Sequence, residues 1–356
     1  MTSPAIVLAN DRFRTPNGKT AHGLVRGSDR FEVKAVVDPS CAGHDAGELL
    51  DGKHRGIPVV ASLDEALRAA GPGVAWCVVG IATHGGRFTP AIRALILEAV
   101  RRGLSVANGL HDAASDDAEI AAAARAAGVQ LVDLRKSRPK SELHFWEGHV
   151  LQVRAPRIAV LGTDCALGKR TTTRMLTQAL LAAGVHAQMI YTGQTGWMQG
   201  ARYGIVFDSI VNDYVSGELE HAIVSCDREL APDVMIVEGQ SSLRNPSGPC
   251  GAEMLLSAGC RGVVLQHAPG RECFEGYEQL GLRIPSVKSE MDLICLYDSQ
   301  VIAVTLNEDH CTDAQMRAHQ DRLARELGIP VVRPLADGLE PLVPVVQAFI
   351  ARMCDG

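Results

Sequence analysis

The sequence predicts an α/β protein built of two consecutive parallel-sheet domains. Two observations predict it. Short apolar runs alternate with alanine-rich helical stretches along most of the chain, the pattern of parallel strands covered by helices on both faces. The alternation breaks at RKSRPKSELHFWEGHV, residues 135–150, a charged stretch with a proline and no clear period. A length of 356 residues agrees with two domains.

Strands are expected first at residues 5–9, 33–37, 59–60, 74–79, 105–107 and 130–132, with helices at 63–70, 91–101 and 116–127. Residues 1–140 therefore read as a Rossmann-like parallel sheet. The dinucleotide fingerprint is missing, because the first strand runs into NDRFRTPNGKT rather than G-x-G-x-x-G. Asp38, at the end of the second strand, suits a ribose hydroxyl, and GIATHGGR at 80–87 would help shape a cleft, but no nicotinamide is expected. Residues 141–156 read as a linker, with Phe145 and Trp146 as candidates for an interdomain contact.

The second domain, residues 157–356, restarts with a strand at 157–161 that runs into GTDCALGKRTTT. A helix is expected at 171–183, stopped by Gly184. A strand at 187–191 leads to the loop TGQTGWMQGARYG. The helix expected at 209–225 carries Ile210, Val211, Tyr214, Val215, Leu219, Ala222 and Ile223 at spacings of three and four. Strands at 234–237, 262–266, 301–306 and 330–332 complete a P-loop NTPase-like α/β domain.

The bulk numbers exclude several classes. A net charge of −6 argues against a nucleic-acid surface. No run approaches eighteen apolar residues, and MTSPAIVLAND has no basic region ahead of a long apolar one, so neither a membrane span nor a signal peptide is expected. The ten cysteines form no C-x-x-C pair and no zinc spacing, which points to reduced thiols, a cytoplasmic location and no metal site.

The chemistry concentrates in Gly162, Thr163, Asp164, Cys165, Ala166, Leu167, Gly168, Lys169, Arg170, Thr171 and Thr172. A strand turning sharply into a helix leaves backbone N–H groups converging on one point, with the positive helix end behind them. The two glycines let the chain approach an anion closely, and Lys169 adds charge. The loop departs from G-x-x-x-x-G-K-[ST] in two ways: five residues separate the glycines, and Arg170 stands where a magnesium-binding hydroxyl should be. Thr171 and Thr172 are displaced substitutes. A loop that grips phosphates without cleaving them has less need of that hydroxyl.

The spacing and the opening GTD resemble the loop of dethiobiotin synthetase. MIVEG places Glu238 where that family has a magnesium-binding glutamate, and VTLNED places Asn307 where it reads its base. The whole chain resembles more closely a two-domain D-glutamate N-acetyltransferase family, formerly a domain of unknown function. The resemblance rests on GTDCALGKRTT, TGQTGWMQGARYG, DSIVNDYVSGELE, IVEGQSSLRNPSG and LQHAPGR. It implies acetyl-coenzyme A as co-substrate, its phosphates held by the loop, D-glutamate as acceptor, and a partner racemase that acts on the N-acetyl product. A homo-oligomer is expected. The rival readings are an ATP-dependent ligase or kinase using Mg²⁺, and a nucleotide-binding regulator without turnover.

Amine acetylation needs a base, donors for the developing oxyanion, and cationic partners for substrate carboxylates. Glu238 and His267 end apolar strands, at the carboxyl edge where ligands bind, and His267 is either a base or acid titrating near neutral pH or a satisfied structural histidine. Asp213, off the apolar stripe of its helix, is a third catalytic candidate or a solvated residue. Asp208 is a substrate ligand or the cap of that helix. Gln194, Thr195, Trp197, Arg202, Gln240, Arg244 and Arg271 lie in loops and are the remaining substrate candidates, with packing or surface ion pairs as the alternative. Cys165 has no histidine nearby in sequence, so a covalent acetyl-enzyme is not expected.

Overall fold

A computed structural model describes residues 2–82 and 84–354, His84 by its backbone alone. Thr83 and the His84 side chain, in the glycine-rich strand end expected to shape a cleft, lie outside the described residues. The chain folds into two compact units. One contains the chain up to Arg138, with Gln194–Ala201 and Asp208–Ile210; the other contains Pro139–Gly193, Arg202–Phe207 and everything from Val211 onward.

The first unit alternates β1 (Ser3–Leu8), α1 (Lys19–Arg26), β2 (Phe31–Val37), α2 (Ala46–Asp51), β3 (Val59–Val60), α3 (Leu63–Ala70), β4 (Trp76–Val79), α4 (Pro90–Arg101), β5 (Ser105–Asn108), α5 (Ala118–Ala127) and β6 (Leu131–Asp133). Among the described residues its six strands pair in parallel in the order β3-β2-β1-β4-β5-β6, that of dinucleotide-binding folds. Strand alternation sends Ile6 and Leu8 to the face covered by Ile92, Ile96 and Ile120, and Ala5 and Val7 to the face covered by Leu24 and Val25. Asp45, Ser62, Thr89 and Asp117 start their helices by accepting first-turn N–H groups.

Asp38 does not offer itself to a ribose. Its carboxylate is fully buried and accepts from Phe13 N–H (2.8 Å), Ser40 N–H (3.1 Å) and Ser40 Oγ (2.6 Å).

In the second unit β7 (Arg157–Gly162) is followed by α6 (Lys169–Ala182) and β8 (Ala187–Tyr191). The chain then leaves for the first unit, where the glycine-flanked loop of the sequence reading forms α7 (Gln194–Met198). Thr195 Oγ1 lies 3.1 Å from Thr20 Oγ1 in the first turn of α1, and Gln199 donates to the carbonyls of Gly23 (2.7 Å) and Gly27 (2.8 Å). Dinucleotide folds keep a pyrophosphate at this helix end. Here the chain's own short helix packs against it.

The second unit resumes with β9 (Tyr203–Gly204), α8 (Asn212–Leu230), β10 (Val234–Glu238), α9 (Ala252–Leu255), β11 (Gly262–His267), α10 (Val287–Cys295), β12 (Gln300–Leu306), α11 (Asp313–Leu327), β13 (Val331–Val332), α12 (Pro334–Asp337) and α13 (Val343–Cys354). Its seven described strands are parallel, in the order β13-β12-β11-β7-β10-β8-β9. β7 therefore sits between β10 and β11, and the turn that follows it is flanked by their carboxyl ends. Helix α8 starts three residues later than expected, with Val211 at its cap, because Asp208–Ile210 belong to the first unit.

Residues 141–156, expected as a linker, lie along α8. Gly217 permits it: a Cβ there would stand 2.1 Å from the His144 carbonyl oxygen. Buried Glu218 accepts from His144 N–H (2.9 Å), and buried Glu220 accepts from Glu147 N–H (2.7 Å) and Val150 N–H (3.0 Å). Phe145 packs on Tyr214, ring centroids 4.4 Å apart, and Trp146 Nε1 donates to the Ser257 carbonyl (3.0 Å). Among the described residues no helix is long and apolar enough to cross a membrane.

Candidate functional site

The phosphate loop joins β7 to α6. Thr163 N–H donates to the Gln266 carbonyl (3.0 Å), extending the β7–β11 ladder into the loop's first residue. Ala166 (φ 52°) and Gly168 (φ 92°) are left-handed, a backbone that turns successive amides towards one concavity. The first intrahelical bond of α6 is Thr172 N–H to the Gly168 carbonyl (3.0 Å), so the amides ahead of it face out of the positive helix end. Lys169 folds back into the loop, its Nζ donating to the Asp164 carbonyl (2.7 Å). A Cβ on Gly162 would stand 3.2 Å from that Nζ and 3.3 Å from the Asp164 carbonyl oxygen, so a side chain there would have to push Lys169 aside. Burial lowers the Lys169 pKa to about 8, against the pull of neighbouring Cys165 and Asp164.

Thr172 does not replace the missing magnesium hydroxyl. It is buried and donates to Gln266 Oε1 (2.5 Å), which also accepts from Thr305 Oγ1 (2.8 Å). Cys165 is a poor nucleophile, since burial and Asp164 raise its pKa. Asn307 binds the loop: its Nδ2 donates to the Leu167 carbonyl (2.9 Å) and its Oδ1 accepts from Asp309 N–H (2.8 Å).

Beside the loop, β10 ends in buried Glu238. Its Oε2 accepts from Thr192 N–H (3.0 Å), and Thr192 Oγ1, which donates to the Glu238 carbonyl (2.7 Å), accepts from Gln240 Nε2 (2.8 Å). Burial raises the Glu238 pKa to about 7, although the Thr192 N–H, Arg170 and Lys169 favour its anion. A Cβ on Gly193 would stand 3.2 Å from Gln240 Nε2 and 3.5 Å from Glu238 Oε1. A side chain there would have to displace the Gln240 amide, while Glu238 Oε1 is at ordinary contact distance.

His267, on the other flank, differs from expectation. Burial, with His319 and Arg322, lowers its pKa to about 4, out of the neutral range. Its Nδ1 lies 2.9 Å from Thr163 Oγ1, so the neutral imidazole braces the loop's first residue.

The other candidates disperse. Arg271 is nearly buried among protein carboxylates: Nε and Nη2 reach Asp309 Oδ2 (2.8 and 2.7 Å), and Nη1 reaches Asp164 Oδ2 (3.3 Å) and the Cys165 carbonyl (3.1 Å). Arg244 pairs with buried Glu290 (2.7 Å) and donates to Ser289 Oγ (2.9 Å). Arg202 is exposed, paired with Glu229 and lying over the Tyr203 ring. Asp213 is exposed in the first turn of α8. Gln194, Thr195, Trp197 and Asp208 belong to the first unit. Trp197 packs there under Arg30 (3.9 Å) and beside Phe31. Asp208 caps no helix; it pairs with Arg135 (2.7 Å) and stands 3.9 Å from His111.

Comparison with known proteins places this geometry. Residues 144–343 match the model of the DUF1611 C-terminal P-loop domain, and residues 39–137 that of the DUF1611 N-terminal Rossmann-like domain, both described as domains of unknown function. The chain belongs to the DUF1611 family.

A crystal structure of a DUF1611 protein from Anabaena variabilis superposes with a TM-score of 0.88 at 24% identity, covering 98% of this chain and 100% of that one, a likeness of fold. Two curated relatives are each named D-glutamate N-acetyltransferase. That of Tritonibacter scottomollicae is 27% identical over 295 residues, 81% of this chain and 84% of the relative. That of a Pseudoalteromonas species is 27% identical over 288 residues, 77% and 82%.

Sequence reasoning missed several residues around the loop of this DUF1611 chain: Thr192, Asn245, Gln266, Glu275, Thr305 and Asp309. Gln266 and Thr305 lie within strands β11 and β12, and such buried polar residues in apolar strands were the available signal.

Proposed function

We propose that this chain is an N-acetyltransferase that moves the acetyl group of acetyl-coenzyme A onto the amino group of D-glutamate, with residues 162–172 gripping phosphates of the coenzyme. The observation that carries the proposal is the loop itself. It has the amides, the positive helix end and the lysine of an anion site, while Arg170 stands at the hydroxyl position and Thr172 is turned inward on Gln266. Such a grip suits a ligand whose phosphates survive the reaction. The names of the two curated relatives supply the reaction class and the acceptor.

Glu238 is the candidate base. Its anion takes a proton from the substrate ammonium, and the freed amine attacks the thioester carbonyl. The C–N bond forms and the C–S bond breaks; the nitrogen's second proton passes to the departing sulfur, so coenzyme A leaves as its thiol, and Glu238 returns the first proton to water. A carboxyl with a pKa near 7 exchanges that proton well at neutral pH.

The test is thiol release from acetyl-coenzyme A across D- and L-amino acids, with isothermal titration of acetyl-coenzyme A and of ATP with Mg²⁺. Thiol release with D-glutamate and titratable acetyl-coenzyme A support the proposal. Tight ATP binding without coenzyme binding replaces it with the ligase or kinase reading.

A further inference from the structure

We propose that Asp164 is a resident anion of the phosphate loop and that Arg271 is a positioning residue that fixes it, so that the loop is already shaped before its ligand arrives. The inference builds on the loop as the grip for the acetyl donor, but its geometry stands without the donor's identity.

Asp164 is fully buried inside a loop whose backbone otherwise favours anions. Its Oδ1 accepts from Cys165 N–H (2.7 Å) and Asn245 Nδ2 (3.0 Å). Its Oδ2 accepts from Glu275 N–H (2.9 Å) and Arg271 Nη1 (3.3 Å). Two backbone amides, a side-chain amide and a guanidinium are the donors a bound phosphate oxygen would recruit. The carboxylate thus takes an anion's place in the first half of the loop. The Cys165 amide is spent on Asp164, which leaves the amides on the helix side for an outside ligand.

Arg271 ties this half to its surroundings. Besides Asp164, its Nη1 reaches the Cys165 carbonyl (3.1 Å) and Glu275 (3.0 Å), while Nε and Nη2 are held by Asp309. Gly270 lets the two turns meet, since a Cβ there would stand 2.4 Å from the Asp309 carbonyl oxygen and 3.0 Å from Cys311 Sγ. Asn307, on the same segment as Asp309, holds the Leu167 carbonyl. The loop is therefore held at both ends by the segment after β12, once directly and once through Arg271. Each guanidinium nitrogen of Arg271 already faces a protein acceptor, which suits a brace rather than a ligand contact.

A brace and a ligand contact predict different results for the free protein, since only a brace alters the loop before a ligand binds. Arg271→Met leaves Asp164 buried without its guanidinium partner; backbone amides at 163–168 should exchange hydrogen faster, and KM for acetyl-coenzyme A should rise about tenfold with kcat little changed. Asp164→Asn turns one acceptor of the Cys165, Asn245 and Glu275 donors into a donor and should quicken the same exchange. Arg271→Lys keeps the charge without the fork and should fall between wild type and Arg271→Met. Unchanged exchange at 163–168 in Arg271→Met or in Asp164→Asn overturns the proposal. Exchange is measured on the free protein, so it reports on the brace even if acetyl-coenzyme A proves not to be the ligand.

Discussion

Lys169 and Glu238 are buried charges on adjacent structural pieces, the start of α6 and the end of β10, and burial moves their pKa values towards each other, to about 8 and about 7. If Glu238 is the base it must be ionised, so activity should fall below pH about 7; if Lys169 holds phosphate it must be charged, so grip should fall above pH about 8. The expected pH profile of kcat/KM is a narrow bell, and Glu238→Gln should remove its acid limb while lowering turnover ~10²–10⁴-fold. The carboxyl also shapes stability. Folded, its pKa is raised from 4.5 to about 7, so the folded chain keeps a proton the unfolded chain has lost across that window. Stability attributable to this group is present below pH 4.5 and lost as pH rises through 7; urea titrations of Glu238→Gln should lack that slope. Lys169→Ala should raise the acetyl-coenzyme A KM by roughly 10–100-fold, the worth of one charge-assisted hydrogen bond, with the circular dichroism spectrum retained. Gly193→Ala should fold normally and lower activity, because its methyl would displace the Gln240 amide that donates to Thr192; full activity would show that this space is not used. At this scale the glycines, the lysine and the strand-end carboxylate were legible as residue types in order. The partners of Asp164 were not, since Asn245, Arg271 and Glu275 lie 81, 107 and 111 residues away along the chain.

Elements were legible where burial imposes a period. The strand runs around β7, β10, β11 and β12 are apolar because both faces of a parallel sheet are covered. Helix α11 gave no such signal; its buried residues are Met316 and Leu323, and the rest is charged or polar apart from three alanines and Leu327. Helix α7 was hidden for another reason: QTGWM is one short turn between glycines, and its helix rests on tertiary partners in the first unit. The arm along α8 shows the same dependence, because its amides are capped by Glu218 and Glu220 and its path requires Gly217. Gly217→Ala should therefore unseat the arm at a cost of about 1–3 kcal/mol. Chymotrypsin cleavage at Phe145 and Trp146 reports it, and a rate equal to wild type would show that the arm is held elsewhere.

For the molecule as a whole, the division into two units was legible from the single break in the alternation, but the crossing of the chain was not. Met198 is completely buried in the core formed by Val7, Leu24 and Phe31, and Trp197 packs beside it. A fragment ending at Arg138 lacks both. It should be markedly less stable than a fragment that also carries residues 194–201 on a flexible tether, by an amount comparable to removing a buried methionine, about 2–5 kcal/mol. Equal melting temperatures for the two fragments would show that the graft is decoration.

The graft also sets an order of events at the ribosome. Although the six strands of the first sheet are complete by Asp133, its core acquires Met198 only after β7, α6 and β8 have been made. The earlier half therefore lacks part of its core while the 65 residues from Leu134 to Met198 are translated. Translation slowed once residues 194–201 have emerged from the ribosome should raise the yield of native protein.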